Sequence, residues 1–445
     1  MNHALNRALA AAGMSPDEAA RKERLFASAE AALLTRNVSS IHRFFVPGRI
    51  EVLGKHTDYA GGRSLLCAAE RGICVAAGPR SDAAVRIIDA VDGRNIEFNL
   101  GAELEIAKSG WTVYPMTVGR RIARNFDGQL RGAEISFSND LPRASGMSSS
   151  SALVVAIFSV LSRMNQLDQR PEYHSNIRSR EELAGYLGCI ENGQSFGSLA
   201  GDRGVGTFGG SEDHTAIVCS QSGMLRQFSF CPVHPERAVK LPDGCAFVVA
   251  TSGVTASKIG TARDQYNRVS MAAEAVRDVA RACLGSGIPT LRDALAVSAD
   301  APDRIRAALK KSSVPGFSPE TLLDRFNQFV LESEEVIPAA GDALQRADLH
   351  TFGDLVDRSQ KAAEHWLGNQ IPETIELARI ARRLGAVAAS SCGAGFGGSV
   401  WSLVSRADAA EFLQAWKHNY EQLFPEPATH SQFFVTGAGP ASMEL

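Results

Sequence analysis

A two-domain α+β protein is what this sequence predicts, on three grounds. Its 445 residues exceed what one hydrophobic core ordinarily serves, so two cores are expected. Strand patterns gather in the first half, with helical patterns between and after them. Glycine and serine clusters fall where those patterns change. The segment LPDGC, ending at Cys245, offers a boundary that divides the chain into residues 1–245 and 246–445.

The elements follow in order. Residues 15–35 open with Ser15 and Glu18 at capping-box spacing and continue with helical periodicity, so a leading structural helix is expected. Arg43–Leu53, Val85–Ile88 and Ala133–Phe137 are rich in β-branched and aromatic residues and read as strands. Ser150–Met164 is a long apolar helix, and Glu181–Asn192 and Ser257–Leu284 are helical too. Gly285–Leu331 is cut by Pro and Gly into short amphipathic helices, and Leu344–Leu384 is again mainly helical. Two strands, Ala386–Ser391 and Ser399–Val404, flank a glycine-rich turn.

Composition narrows the function. Hydrophobic residues make up 44% and charged residues 21%, with a formal net charge of -3, as in an ordinary globular chain. With 46 basic against 49 acidic residues and no Lys/Arg run, the footprint of a nucleic-acid or anionic-membrane binder is missing. The eight cysteines form no Cys-x-x-Cys pair and read as reduced core thiols. The N-terminal stretch mixes acids and bases without an apolar core, so no signal peptide is expected. No stretch reaches the roughly 18 apolar residues of a membrane helix. A cytoplasmic enzyme is the expectation.

Three constellations carry chemistry. SGMSSSSALVVA, residues 145–156, leads a loop into the apolar helix. A helix N-terminus offers free N–H groups and partial positive charge to phosphate. Gly146 permits close backbone approach, and Ser148, Ser149, Ser150 and Ser151 add hydroxyls for phosphate or Mg²⁺. GAGFGG, Gly393–Gly398, formally matches the dinucleotide pattern G-x-G-x-x-G. A strand rather than a helix follows it, so it reads as a tight turn packed on a neighbouring loop. The third, Val46–Ala68, packs Arg49, Glu51, Lys55, His56, Asp58 and Tyr59 between glycine-rich turns, a density suited to a polyhydroxylated ligand. Taken singly, each also fits a plain reading as a serine cap, a glycine hairpin or a solvated loop.

Together they resemble the three motifs of the GHMP kinases, and the third is similar to the galactokinase signature. That signature runs GRxNLIGEHTDYNGG in the family and GRIEVLGKHTDYAGG here. Trp111 and Tyr114, Glu191-Asn192, Gly209–Asp213, Tyr266-Asn267 and Leu355–Gln360 match further segments in the same order. The resemblance implies the GHMP kinase fold: a ribosomal-protein-like N-terminal domain, a ferredoxin-like C-terminal domain, and an active site in the cleft. It implies ATP and Mg²⁺, a sugar substrate, and transfer of the γ-phosphoryl group to the anomeric hydroxyl. By the same resemblance Asp213 is the general base and Arg49 stabilises it and the transferring phosphate. Ser150 and Glu191 hold the metal, Gly146 and Ser148 to Ser151 the phosphates, and Lys55, His56, Asp58 and Tyr266 the sugar. Gly393–Gly398 shapes the pocket and supports the phosphate loop.

The departures sharpen the question. Lys55 replaces the family's glutamate at the hydroxymethyl end of the sugar, so it could meet the carboxylate of a uronic acid, or turn away, or pair with Glu51, itself a replacement for asparagine. Ala144 and Ser151 replace a glycine and an alanine, and Gly-Ser-Glu precedes Asp213 with His214 after it. The stretch between Glu191 and Asp213 is long enough to reshape the sugar pocket. A kinase for a uronic acid or another sugar, and a non-catalytic sugar-responsive regulator, are the alternatives. Retention of Arg49, Ser150, Glu191 and Asp213 counts against the regulator.

Overall fold

The computed structural model describes residues 3–36, 38, 40–142, 146–254 and 261–445. Nine strands make the first sheet: β1 His42–Leu53, β2 Arg63–Pro79, β3 Ala84–Asp89, β4 Asn95–Asn99, β5 Ala133–Asn139, β6 Met224–Ser229, β7 His234–Lys240, and, from the far end of the chain, β12 Ala438–Gly439 and β13 Met443–Glu444. The second sheet has four strands: β8 Cys245–Thr251, β9 Ala388–Cys392, β10 Ser399–Ser405 and β11 Phe433–Thr436, in the order β11-β8-β10-β9, all antiparallel. The first strand of the second sheet starts at Cys245, and strands at 438–439 and 443–444 cross back to pair with β2 and β1.

β2 is the spine of the first sheet. It pairs with β1 along one edge, and with β6, β12 and β5 in turn along the other. Its 17 residues are buried almost throughout, so apart from Arg63, Glu70 and Arg71 both faces carry small or apolar side chains and no alternation betrays the strand. β3 joins β5 in parallel; the other pairs are antiparallel.

The apolar helix spans Ser149–Asn165 and buries Ser151–Phe158, Val160 and Leu161. It packs with Phe44, Val46, Val75 and Phe137 in one core. Ser148 just before it adopts φ 58, ψ 38, a left-handed conformation that costs a non-glycine residue about 1–2 kcal/mol. Each large apolar side chain buried behind it returns roughly 1.5–3 kcal/mol, so packing outweighs the strain and fixes the bend. A second core lies between the sheets, with Ile50, Val52, Leu65, Phe247, Val249 and Trp401. Helices of the second half build a third around Val276, Ile305, Leu309 and Phe326, against Tyr59 and Ala60.

Two local expectations change. The leading helix runs Pro16–Leu33, but Ser15 makes no side-chain cap; its N–H donates to Glu70 Oε1 at 2.6 Å. Glu18 instead pairs with buried Lys22 at 2.7 Å, a stronger claim on the carboxylate than a capping box. The helix expected from Ser257 is seen from Thr261 to Leu284, its first part lying outside the described residues, as does Ala144. Among the described residues no helix is long and apolar enough to cross a membrane.

Candidate active site

β1 carries charged groups into the cleft because its phase changes midway. Up to Val46, Phe44 and Val46 enter the core under the apolar helix while Phe45 meets the leading helices. Between Pro47 and Arg49 the β1–β2 register slips. Beyond the slip Ile50 and Val52 join the core between the sheets, and Arg49 and Glu51 line a cavity of about 310 Å³. Unbroken alternation would have left both charged residues on the face of Phe45. Gly48 occupies the slip, where a Cβ would stand 2.5 Å from Leu141 and 2.9 Å from the Met147 carbonyl.

Arg49 is the centre of the site. Nε donates to Asp213 Oδ1 at 2.8 Å, Nη1 to the Gly146 carbonyl at 2.7 Å and to Cys392 Sγ at 3.2 Å, and Nη2 to Glu51 Oε2 at 3.4 Å. Burial works against its charge, but Asp213, Cys392 and Glu51 more than offset that and lift its pKa well above the ordinary arginine value. Asp213 stands in the first turn of the helix Glu212–Cys219. Ser151 Oγ lies 2.8 Å from Glu191 Oε2 and 3.2 Å from Asp213 Oδ2, so one hydroxyl proton is shared between two acids. His214 Nε2 approaches Glu191 Oε2 at 3.2 Å from the other side.

Two further acids, Glu51 and Glu212, stand in the site without a catalytic or binding role expected of them. Burial, with Glu51 and Asp58 beside it, pushes the Glu212 carboxyl well above the usual carboxylate range. Burial also raises Glu51, against the pull of Arg49 and Lys55. Ser64 Oγ donates to Glu212 Oε2 at 2.6 Å, and Glu51 Oε1 has no hydrogen-bond partner unless Glu212 carries a proton to give it. Their signal in the sequence was the departure from the family pattern at both positions.

The signature loop contributes His56, Asp58 and Tyr59 to the cavity wall. His56 sits at φ 57, with Nδ1 3.0 Å from Tyr59 Oη and Nε2 3.0 Å from the Ala394 carbonyl, so both ring nitrogens already hold protein partners. Asp58 Oδ2 accepts from the Glu212 N–H at 3.0 Å. Tyr266 joins the wall 5.3 Å from the His56 ring. The long stretch after Glu191 reaches the same wall through Thr207, Gly209 and Gly210. A Cβ on Gly209 would meet Tyr266 Oη at 2.5 Å, which is why the chain can lie so close.

Lys55 lies outside the cavity wall. It is fully buried, with Nζ donating to Ser359 Oγ at 3.2 Å. Its charge nevertheless acts on Glu51, which lines the cavity.

At the other end Gly146 and Ser148 to Ser151 line the cavity together with Gly393 and Ala394. A Cβ on Gly146 would stand 2.6 Å from the Cys392 carbonyl, and one on Gly393 would stand 2.8 Å from the Gly146 carbonyl. The two glycine loops therefore interlock. Ser151 rather than Ser150 touches Glu191, while Ser150 faces the cavity. Beyond the serines the wall turns apolar, with Ile73, Trp111, Tyr114, Phe137 and Leu153, and then Asp89 and Arg94 at its edge.

Three family models match the chain: the galactokinase galactose-binding signature over residues 36–79, the GHMP kinases N terminal domain over 114–197, and GHMP kinases C terminal over 342–422. A galactokinase of Roseiflexus sp. (strain RS-1) is 30% identical over 385 residues, covering 85% of this chain and 86% of that protein. A galactokinase of Actinobacillus pleuropneumoniae serotype 3 is 24% identical over 387 residues, covering 86% and 90%. Among solved structures, Lactococcus lactis galactokinase complexed with galactose superposes with a TM-score of 0.75 at 23% identity, covering 94% of this chain and 100% of that one. A mevalonate kinase superposes at 0.54 with 14% identity, covering 90% and 100%.

Proposed function

Because the chain belongs to the galactokinase-like sugar kinases of the GHMP family, we propose that it is an ATP-dependent phosphotransferase acting on the anomeric hydroxyl of galactose or a closely related sugar. The observation that carries this reading is the junction of Arg49, Asp213, Ser151 and Glu191 at the mouth of the serine-run helix. It puts an acid that can take a hydroxyl proton beside a fixed cation and a helix N-terminus made for phosphate.

Asp213 accepts or orients the acceptor's anomeric proton, worth roughly 10²- to 10⁴-fold. Arg49 holds that carboxylate in place and meets the charge that develops on the transferring group. Asp58, His56 and Tyr266 bound the sugar, and Gly146 with Ser148 to Ser151 receives the phosphates. Ser148 Oγ is buried without a hydrogen-bond partner, an orphan that a phosphate oxygen would satisfy. The apolar wall of Trp111, Tyr114, Phe137 and Leu153 suits a purine base.

The donor set also fits a divalent cation. Among the described residues no three His, Cys, Asp or Glu side chains form a metal cage. Mg²⁺ commonly takes one or two protein ligands and completes its shell with phosphates and water. Ser150 and Glu191 would hold it, and bound there it would neutralise phosphate charge. With Lys55 turned inward, a neutral sugar is favoured over a uronate.

The test is ADP release with ATP, Mg²⁺ and a panel of galactose, galacturonate, glucuronate, arabinose and fucose, beside Asp213→Ala. Turnover of galactose or another neutral sugar, lost in the variant, is expected. Preference for a uronate would overturn the neutral-sugar reading, and binding without any turnover would overturn the kinase.

A further inference from the structure

The signature loop is held from behind by a helix of the second half of the chain. That helix, Pro319–Phe329, continues as a π-helical turn over Val330–Val336, a departure often found at functional sites. Arg325, Gln328 and Glu332 lie at spacings of three and four residues, on one face. All three are polar and almost wholly buried, with relative exposures of 2%, 1% and 0%.

Their partners are backbone groups of three consecutive loop residues. Glu332 Oε1 accepts from the Gly54 N–H at 2.8 Å and lies 3.4 Å from the Lys55 N–H. Gln328 Nε2 donates to the Lys55 carbonyl at 3.0 Å. Arg325 Nη2 donates to the His56 carbonyl at 2.5 Å, and Nη1 to Gln328 Oε1 at 2.6 Å, linking the set. Ser333, next along, accepts from the Arg63 N–H at 3.1 Å, where the loop re-enters β2. A buried charge or amide costs stability unless its partners are well placed, so two charges and an amide aimed at one turn are a costly way merely to fill space.

What the clamp fixes is a strained residue. His56 is held at φ 57, a conformation that costs about 1–2 kcal/mol in a residue other than glycine. The same backbone sets its ring between Tyr59 Oη and the Ala394 carbonyl. Arg325 Nη2 also lies 3.5 Å from Tyr59 Oη, so with that oxygen facing a cation, the phenol proton points to His56 Nδ1 and leaves Nε2–H to donate to Ala394. The clamp thus sets both the place and the tautomer of a ring in the cavity wall, two residues before Asp58.

We propose that Arg325, Gln328 and Glu332 are positioning residues for the acceptor: they touch no substrate, but hold Gly54–His56 so that His56 and Asp58 meet the sugar in a fixed geometry. The proposal rests on the sugar-kinase reading of the cavity. It predicts selective damage, in which acceptor binding suffers and nucleotide binding does not, because the serine-run helix belongs to a different core.

Gln328→Met keeps the volume but loses both hydrogen bonds, Arg325→Lys keeps the charge but loses the fork, and Glu332→Gln keeps an acceptor for the two N–H groups. Leu309→Ala is the control, a buried residue of the same helical core with no hydrogen bond to the loop. The expected result is an acceptor KM raised about 10-fold or more in Gln328→Met and Arg325→Lys, an ATP KM within about twofold of wild type, and near-normal kinetics in Glu332→Gln. Leu309→Ala should lower Tm without moving the acceptor KM. An unchanged acceptor KM in folded Gln328→Met and Arg325→Lys, or acceptor and ATP KM rising together, would overturn the proposal. Absence of wild-type sugar turnover would instead strike the kinase reading. Positioning is then read from histidine-labelled protein by NMR, with His56 assigned through His56→Gln: a changed ring tautomer or shift in Arg325→Lys supports the clamp, and an unaltered ring signal refutes it.

Discussion

Replacing Arg49 by lysine probes the site where charge and geometry can be separated. Lysine keeps the positive charge, but its single ammonium cannot follow the guanidinium to Asp213 Oδ1 and the Gly146 carbonyl at once. Those bonds, at 2.8 and 2.7 Å, leave from different nitrogens, and the side chain is 5% exposed, so solvent offers little replacement. A hydrogen bond to a charged group is worth about 1.5–3 kcal/mol, and one of the two should be lost. At 1.36 kcal/mol per decade this corresponds to a fall in kcat of roughly 10- to 150-fold. The assay is steady-state ADP release at saturating ATP and sugar, with thermal unfolding alongside to show that the variant is folded. A folded Arg49→Lys enzyme with kcat within a factor of about two of wild type would refute the reasoning, since charge alone would then suffice.

Other outcomes follow from the same geometry. Ser151→Ala removes the hydroxyl between Glu191 and Asp213, and should cost about 1.5–3 kcal/mol of stability by leaving buried Glu191 and half-buried Asp213 without the hydroxyl they share, read from urea unfolding. Gly393→Ala should be destabilised by about 1–3 kcal/mol and lose ATP affinity, because its φ of 86 strains an L-residue and its Cβ would press on the Gly146 carbonyl. Glu212 is an acid whose folded pKa is raised by burial and by Glu51 and Asp58, so its contribution is greatest at low pH and is lost as pH rises through the folded value. Glu212→Gln should therefore gain Tm relative to wild type as pH rises above the ordinary carboxylate range, and a difference that stays constant with pH would contradict the assignment. Lys55→Met should lower Tm while changing the preference for galactose over galacturonate by less than about threefold.

The site was legible in the sequence where chemistry demands particular residues in a short span. Serines opening a helix and glycines needed for close approach marked both loops, and the signature stretch marked Arg49, His56 and Asp58. What stayed hidden depends on tertiary pairing. β2 could not be read because both of its faces are buried, and the register slip at Gly48 that turns Arg49 and Glu51 into the cleft exists only in the pairing with β2. The direction taken by Lys55 was undetermined locally, since Ser359 lies 304 residues away. Arg325, Gln328 and Glu332 look like an ordinary polar stripe until the helix is placed against the loop. The capping box at Ser15 failed for the converse reason: a correct local pattern lost to the long-range claim of Glu70 and the nearby Lys22.

The central claim is that phosphate goes to the anomeric oxygen of a sugar held against Asp213. The most direct measurement is ³¹P NMR of the product formed from ATP, Mg²⁺ and galactose, read through the coupling of the new phosphorus to a sugar proton. Coupling to the anomeric proton, absent with Asp213→Ala, is the predicted result. Phosphate on any other carbon, or inorganic phosphate with no sugar ester, would contradict the account.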